Sequence, residues 1–317
     1  IETELTEASK ILPANYKKGD KNYGRFTAGL AHTVLLKLYM LTKQWDKAEA
    51  EGRELMKPEY GFELVPEYKD IFTLANEKNP EIIWACQCAK GYQEHKWQPH
   101  VLPNDYNFTP YLDKMTKWNG YKISWSFMHT FDPEDKRLLT IASEYTSKDG
   151  VVHNEKNDSQ DPSAQLYLGA VPLKYEFDPD CTGEDSQIDW IIYRYADVLT
   201  LTAEAIVRNK NAVTKEAVDL LNEVRTRSLP GKGYSLQDLN SVDKFLKAVL
   251  DERGWELYFE GNRRQDLIRY GIFVETIKKK AQSMGKQTLV DENRHRFPIP
   301  QSIIDEGKGV IEQNPGY

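Results

Sequence analysis

Cysteine is scarce, with Cys86, Cys88 and Cys181 the only three in 317 residues. An odd count excludes a closed disulfide framework, and three cysteines fall short of a four-ligand zinc site. Three free, buried thiols are expected, with Cys86 and Cys88, two apart in an extended segment, facing the same way. Long apolar runs are missing too: no stretch approaches the roughly eighteen consecutive apolar residues of a membrane span. A basic excess is also lacking, since 42 Lys and Arg against 49 Asp and Glu leave a net charge of −7. That balance excludes nucleic acid as a partner, because phosphate backbones are held by a positive field. The six histidines are scattered, and the close pair His95 and His100 has no acidic third ligand nearby, so no metal site is expected. No nucleophile elbow, phosphate-cradling glycine loop or zinc-protease helix motif occurs, and the chain offers no positive reason to be read as an enzyme or to require a cofactor.

What is present is enough for one large or two small globular units: 40% hydrophobic and 29% charged residues. From Gly24 to Lys57 the pattern predicts a helical hairpin, with Ala31, Leu35, Leu38, Tyr39 and Leu41 on one arm and Trp45, Ala48, Gly52 and Leu55 on the other. The nine-residue step from Tyr39 to Ala48 is that of tetratricopeptide repeats, where small residues let helices cross closely. Trp45, beside the turn, reads as a packing residue. A second hairpin spans Tyr193 to Arg227, turning at Asn209-Lys210-Asn211 with Thr214 as N-cap of the return helix. A third pair begins at Ser241 and resumes, after a break at Glu260-Gly261, through Leu267, Phe273 and Ile277. The fold class is therefore all-α, of tetratricopeptide-like helical hairpins with a long irregular, loop-rich insertion carrying a few short strands. Residues 1–57 form a helical segment, 58–192 the insertion and 193–317 a C-terminal helical segment.

Loops as long as the stretch from 91 to 192 are uncommon in compact domains unless they carry function. Within it Trp97, Tyr106, Tyr111, Trp118, Tyr121 and Trp125 are interleaved with Asn104, Asp105, Asn107, Asn119 and Gly120. Flat aromatic faces beside short polar side chains suit a sugar ring, whose C–H face packs on the aromatic while its hydroxyls need directional partners. Trp97, Tyr106, Trp118, Asn119, Tyr121 and Trp125 are the candidate ligand-binding residues; the alternative for each ring is packing of the loop onto the scaffold. The charged run Glu252, Arg253, Glu256, Glu260, Arg263, Arg264, Asp266 and Arg269 reads as an ion-pair network between helices, since each carboxylate has a cation within a few positions. Asp178, Asp180, Thr182, Gly183 and Asp189 imitate part of a calcium loop, but Asp stands at the twelfth place and Pro179 stiffens the start, so a solvated acidic turn is expected.

Three blocks in fixed order, Arg194-Tyr195-Ala196-Asp197-Val198-Leu199, then Glu252 through Gly261, then Gln313-Asn314-Pro315-Gly316-Tyr317, resemble the SusD-like (RagB) family of bacterial surface nutrient-binding lipoproteins. Arg263, Asp266, Leu267, Arg269 and Gly271 fill further positions of the pattern, as does the run Arg294, Arg296, Phe297, Pro298, Ile299, Pro300 and Gln301. Gly254 and Arg264 depart from it, the family more often having Arg and an aromatic there. The resemblance implies a non-catalytic cell-surface protein that captures oligosaccharide and passes it to a SusC-like, TonB-dependent outer-membrane transporter. It also implies outer-membrane localisation through a lipid anchor outside this chain, and an aromatic platform within the insertion. An alternative from another class is a helical-repeat scaffold binding peptide or protein along a groove. No initiator Met, signal segment or lipid-acceptor Cys stands near Ile1, so the start reads as a processed or truncated end and the C-terminus as a natural one. Ile1, Leu5, Ala8 and Leu12-Pro13 take the place of a mid-chain helix of such proteins, implying that about the first third to two fifths of a typical member is absent. That helix should therefore expose an apolar face or cover it with a companion.

Overall fold

Helix pairs carry the architecture of the computed structural model, which describes residues 1–106 and 114–317. Helix α1 (Glu2–Ile11) leads into α2 (Ala28–Leu41), whose cap Thr27 accepts a hydrogen bond from the Leu30 amide at 3.1 Å. After a turn with Lys43 in the left-handed region, α3 (Trp45–Leu55) runs back against α2. The insertion then opens with strand β1 (Ile82–Cys86) and contains helices α4 (Trp97–Val101) and α5 (Trp125–Met128). Short strands β2 (Ile141–Ala142), β3 (Glu144–Thr146) and β4 (Val152–Asn154) follow, then α6 (Glu155–Asp158), β5 (Val171–Pro172) and β6 (Trp190–Arg194). Each sheet has two antiparallel strands, and the pair β1–β6 closes the base of the long excursion, matching Ile82 with Arg194 and Cys86 with Trp190.

Helix α7 (Tyr195–Lys210) is buried from Tyr195 through Val207, as befits the central helix of the array. Asn211, in the left-handed conformation, ends it, and Thr214 caps α8 (Lys215–Ser228) by accepting from the Ala217 amide at 3.2 Å. Ser241 does the same for α9 (Val242–Glu256), which packs on α7 and carries Gly254 in its interior. The crossing of α3 and α7 depends on Gly52: a Cβ there would lie 2.0 Å from the Thr202 hydroxyl oxygen. Trp45 is half-buried, with the Arg208 guanidinium 4.9 Å from its ring centre, a packing role. The helical hairpins and the loop-rich insertion with few strands match the all-α class read from the sequence.

Two differences from expectation have physical causes. The insertion is not a bare excursion: Val101, Leu102, Leu166, Ala170, Val171 and Ile188 form a core of their own inside it. On α1, Leu5 and Leu12 are half-buried against the cluster that includes Leu35 and Tyr39, so that face is covered by α2; the exposed apolar residues of this helix region are Ile1 and Ile11.

The charged run is an ion-pair network. Glu256 accepts from Arg137 at 3.2 Å, from Arg194 at 2.5 Å and from Arg227, all of these side chains being buried. Glu252 accepts from Arg137 at 2.6 Å and Arg225 at 3.0 Å, while Glu81 joins Arg194 and Arg227 from the start of the insertion. Asp197 ties α2 to α9, accepting from Lys37 at 2.8 Å and Arg253 at 2.7 Å. Burial by itself would raise the Glu256 carboxyl, but Arg227, Arg194 and Arg137 outweigh it and hold the group well below the usual carboxylate range. Glu252 and Glu256 are thus spent on structure, buried and paired with arginines instead of open to a glycosidic bond.

The chain divides into two compact units, 1–260 and 261–317. The second holds α10 (Arg263–Arg269), α11 (Phe273–Ser283) and α12 (Gln301–Glu306). Its two sequence motifs meet: the Gln313 amide exchanges hydrogen bonds with Ile299, Asn314 donates to the Phe297 carbonyl at 2.7 Å, and the Tyr317 hydroxyl to that of Arg296 at 2.9 Å. The third helix pair expected from Ser241 onward is interrupted where Glu260-Gly261 breaks it, since α9 belongs to the first unit and α10 and α11 to the second. Among the described residues no helix is long and apolar enough to cross a membrane.

Candidate functional site

A cleft of about 470 Å³ opens where β1 ends and β6 begins, beside α4, in the size range of small-molecule sites. Its walls are aromatic: Trp97, Tyr121, Trp190 and Phe259, with His95 and His100, face it together with Gln93, Lys96, Cys86 and Cys88. Phe259 closes one side, its ring centre 5.3 Å from that of Trp97 and 6.3 Å from that of Tyr121. It holds a φ of +58°, uncommon for an aromatic residue and worth about 1–3 kcal/mol of strain. The turn after α9 therefore sustains a costly conformation while delivering a ring to the cleft.

The segment 118–121 is stitched to α4 by backbone bonds. Trp118 donates to the Pro99 carbonyl, Asn119 to Leu102, and Gly120 and Tyr121 both to His100, all between 2.8 and 2.9 Å. A Cβ on Gly120 would come within 2.9 Å of the His100 carbonyl oxygen, so only glycine permits this approach. The result is a fixed ledge: Trp118 is 37% and Tyr121 49% exposed, with the His100 ring between them at 4.7 Å and 5.0 Å. Lys96 stands over Trp118 and pairs with Glu184 at 2.6 Å, an exposed pair of small energetic weight that a polar ligand could displace. His95 has fixed roles, one ring nitrogen donating to the Ile188 carbonyl at 2.8 Å and the other accepting from the Trp97 amide at 3.2 Å. Burial lowers its pKa against the opposing pull of that carbonyl. Such a surface can stack on the C–H face of a sugar and offer hydrogen bonds at its rim.

The six sequence candidates are thus divided. Trp118 and Tyr121 form the ledge. Trp97 is only 7% exposed and reaches the cleft as part of its wall, packed on Trp190 and Phe259. Tyr106, 2% exposed, lies in the core of the insertion 4.9 Å from the Tyr145 ring, so it has no face to present. Asn119 spends its amide inside the protein, accepting from the Lys122 ammonium and donating to the Gln165 carbonyl, which leaves it a positioning role. Burial pulls the pKa of that Lys122 ammonium down to about 8. Trp125 is half-buried, its indole nitrogen donating to the Leu166 carbonyl at 3.1 Å, and it does not line the cleft. Tyr111 and Asn107 lie outside the described residues.

Sequence reasoning missed His100, Trp190 and Phe259. Trp190 and Phe259 come from outside the aromatic-rich window, and the available signal was the strand pairing that brings position 190 next to 86. Two further expectations are corrected. Cys86 and Cys88 face the same cleft and are partly exposed, leaving Cys181 as the buried thiol, because the strand ends at the cleft mouth. The acidic turn is solvated only in part: Asp180 and Thr182 are exposed, whereas Asp178 is 1% and Asp189 5% exposed, accepting backbone hydrogen bonds from Asp180 and Gln187 and from Cys88 respectively.

The family model described as the SusD family matches residues 178–317, the stretch that includes all three sequence blocks. Residues 178–317 are SusD-like. SusD-like protein P25 of Formosa agariphila is 25% identical in an alignment covering 100% of this chain and 64% of that protein. The starch-binding protein SusD of Bacteroides thetaiotaomicron is 31% identical over 40% of this chain and 21% of its own length. Among solved structures, surface glycan-binding protein A from Bacteroides thetaiotaomicron in complex with laminarihexaose superposes with a TM-score of 0.75 at 19% identity, covering 99% of this chain and 69% of that one. Surface glycan-binding protein A from Bacteroides fluxus gives 0.79 at 20% identity, covering 99% and 68%. At these identities the structural likeness establishes the fold alone. The chain spans 64% of the length of P25.

Proposed function

We propose that this SusD-like chain is the ligand-capturing part of a non-catalytic cell-surface protein that binds oligosaccharide and hands it to a TonB-dependent outer-membrane transporter. The ligand is captured by the 58–192 insertion, on the ledge of Trp118 and Tyr121 and in the cleft beside it. The observation that carries this is the pair of open aromatic faces, held by backbone bonds at the edge of an aromatic-walled cleft. The names of the relatives, which include a starch-binding protein and glycan-binding proteins, favour glycan over other ligands that would stack on such a surface. Capture on an open face gives modest affinity, which suits release to a transporter. The protein would sit at the outer membrane, lipid-anchored in its precursor. Affinity electrophoresis against soluble polysaccharides tests the reading: retardation by at least one glycan with no reducing-end release supports it, and mobility unchanged in every glycan refutes it.

A peptide- or protein-binding role is the second reading, favoured by a groove of about 530 Å³ between the extended residues Phe62–Pro66 and the α8 positions Glu223, Thr226 and Arg227. Pull-down from an outer-membrane extract with and without added glycan separates the two, since a scaffold for protein would capture its partner irrespective of sugar.

A further inference from the structure

Tyr92 is 93% exposed, far more than either ledge ring, and belongs to none of the hydrophobic clusters. A single exposed aromatic needs no explanation in itself. Its setting is what distinguishes it. Tyr92 tops a closed turn in which Ala89 and Gln93 exchange backbone hydrogen bonds at 2.8 and 3.1 Å and the Tyr92 amide donates to Ala89 at 3.0 Å. Gly91 supplies the φ of +77° that the turn requires, and its amide donates to the Glu94 carboxylate at 3.0 Å. Lys90 is tethered to the Asp180 carbonyl at 3.1 Å. The turn springs from the cleft wall and returns to it, because Cys88 on one side and Gln93 on the other both line the cleft. A ring bared to water is thus carried at the rim by a hydrogen-bonded turn.

We propose that Tyr92 is an outer subsite of this cleft, stacking on a sugar unit beyond those held at Trp118 and Tyr121, and that it makes the site select extended chains over short oligosaccharides. The inference rests on the glycan reading above and adds ligand length to it. A short saccharide fills the inner ledge and leaves Tyr92 untouched. A longer chain leaving the cleft past Gln93 passes the turn and gains one more stacked ring, at little ordering cost because the turn is already fixed.

Calorimetric titration of the whole chain with hexasaccharides and disaccharides of the laminari and malto series tests it. Tyr92→Ala is expected to weaken the hexasaccharide that binds best by about tenfold while leaving the disaccharide of the same linkage within about twofold, and Tyr92→Phe is expected to behave as wild type. Full hexasaccharide affinity in Tyr92→Ala, or equal losses at both lengths, overturns the subsite. Trp118→Ala and Tyr121→Ala, run in parallel, report on the ledge: if the wild type binds and neither variant loses affinity, the ledge reading falls and the subsite with it. Failure of the wild type to bind either series overturns the subsite, and the glycan reading falls with it when mobility is also unchanged in every polysaccharide.

Discussion

Glu256 accepts hydrogen bonds from three guanidinium groups, those of Arg137, Arg194 and Arg227, and is itself fully buried. Glu256→Gln keeps the shape and removes the charge, leaving buried cations short of an anion. Removing one partner of a buried ion pair costs about 3–5 kcal/mol. For a unit of this size each kcal/mol moves the midpoint by about 2–4 °C, so a fall in Tm on the order of 10 °C is expected by differential scanning calorimetry. Asp219→Asn is the control, since its pair with Lys215 is solvent-exposed and is worth at most about 0.5 kcal/mol. The pH dependence has a definite sign. The folded-state pKa of Glu256 is depressed, so the stability it contributes is fully present above the unfolded value of about 4.3 and is lost as pH falls through the folded value. The gap between wild type and Glu256→Gln should be flat from about pH 6 to 8 and should narrow below about pH 4. A variant within about 1 kcal/mol of wild type at neutral pH, or a gap that widens in acid, would refute the network as a source of stability.

Three further outcomes are expected. Gly52→Ala should gain about 1 kcal/mol of helix propensity but lose about 1–3 kcal/mol to the clash with buried Thr202, giving a net destabilisation in urea titration that Thr202→Ala partly relieves; a stabilised single variant contradicts the close crossing. Tyr106→Ala should cost about 3–5 kcal/mol, as for a large buried aromatic, and an unchanged denaturation midpoint would show that the ring is not packed. Gly120→Ala should keep the fold but weaken glycan binding, because the His100 carbonyl must yield and the ledge shifts with it; unaltered affinity would mean that the ledge geometry is unimportant.

Helices were legible where local rules agree. The apolar spacing from Ala31 to Leu55, the cap Thr214, the helix start at Ser241 and the turn at Asn211 each act within a few residues, and each appears where the pattern placed it. The ion-pair network was legible in part: opposite charges at helical spacing signalled pairing, whereas the contributions of Arg137, Lys174 and Glu81 come from the insertion through tertiary contact. The ledge was harder. Trp97, Tyr106 and Trp118 occur in similar turn-rich sequence, and burial of the first two depends on neighbours such as Trp190, Phe259 and Tyr145 that are distant along the chain. Tyr92 was passed over because a lone tyrosine in a Gly-containing turn carries no local signal of what stands beside it.

The central claim is that open aromatic faces on the 118–121 segment hold glycan. Titrating wild type and the double variant Trp118→Ala/Tyr121→Ala with the same oligosaccharide, with circular dichroism verifying the fold, tests it most directly. The account predicts measurable binding by wild type and at least a hundredfold loss, about 2.8 kcal/mol, in the double variant. Equal affinity in the two folded proteins would contradict it.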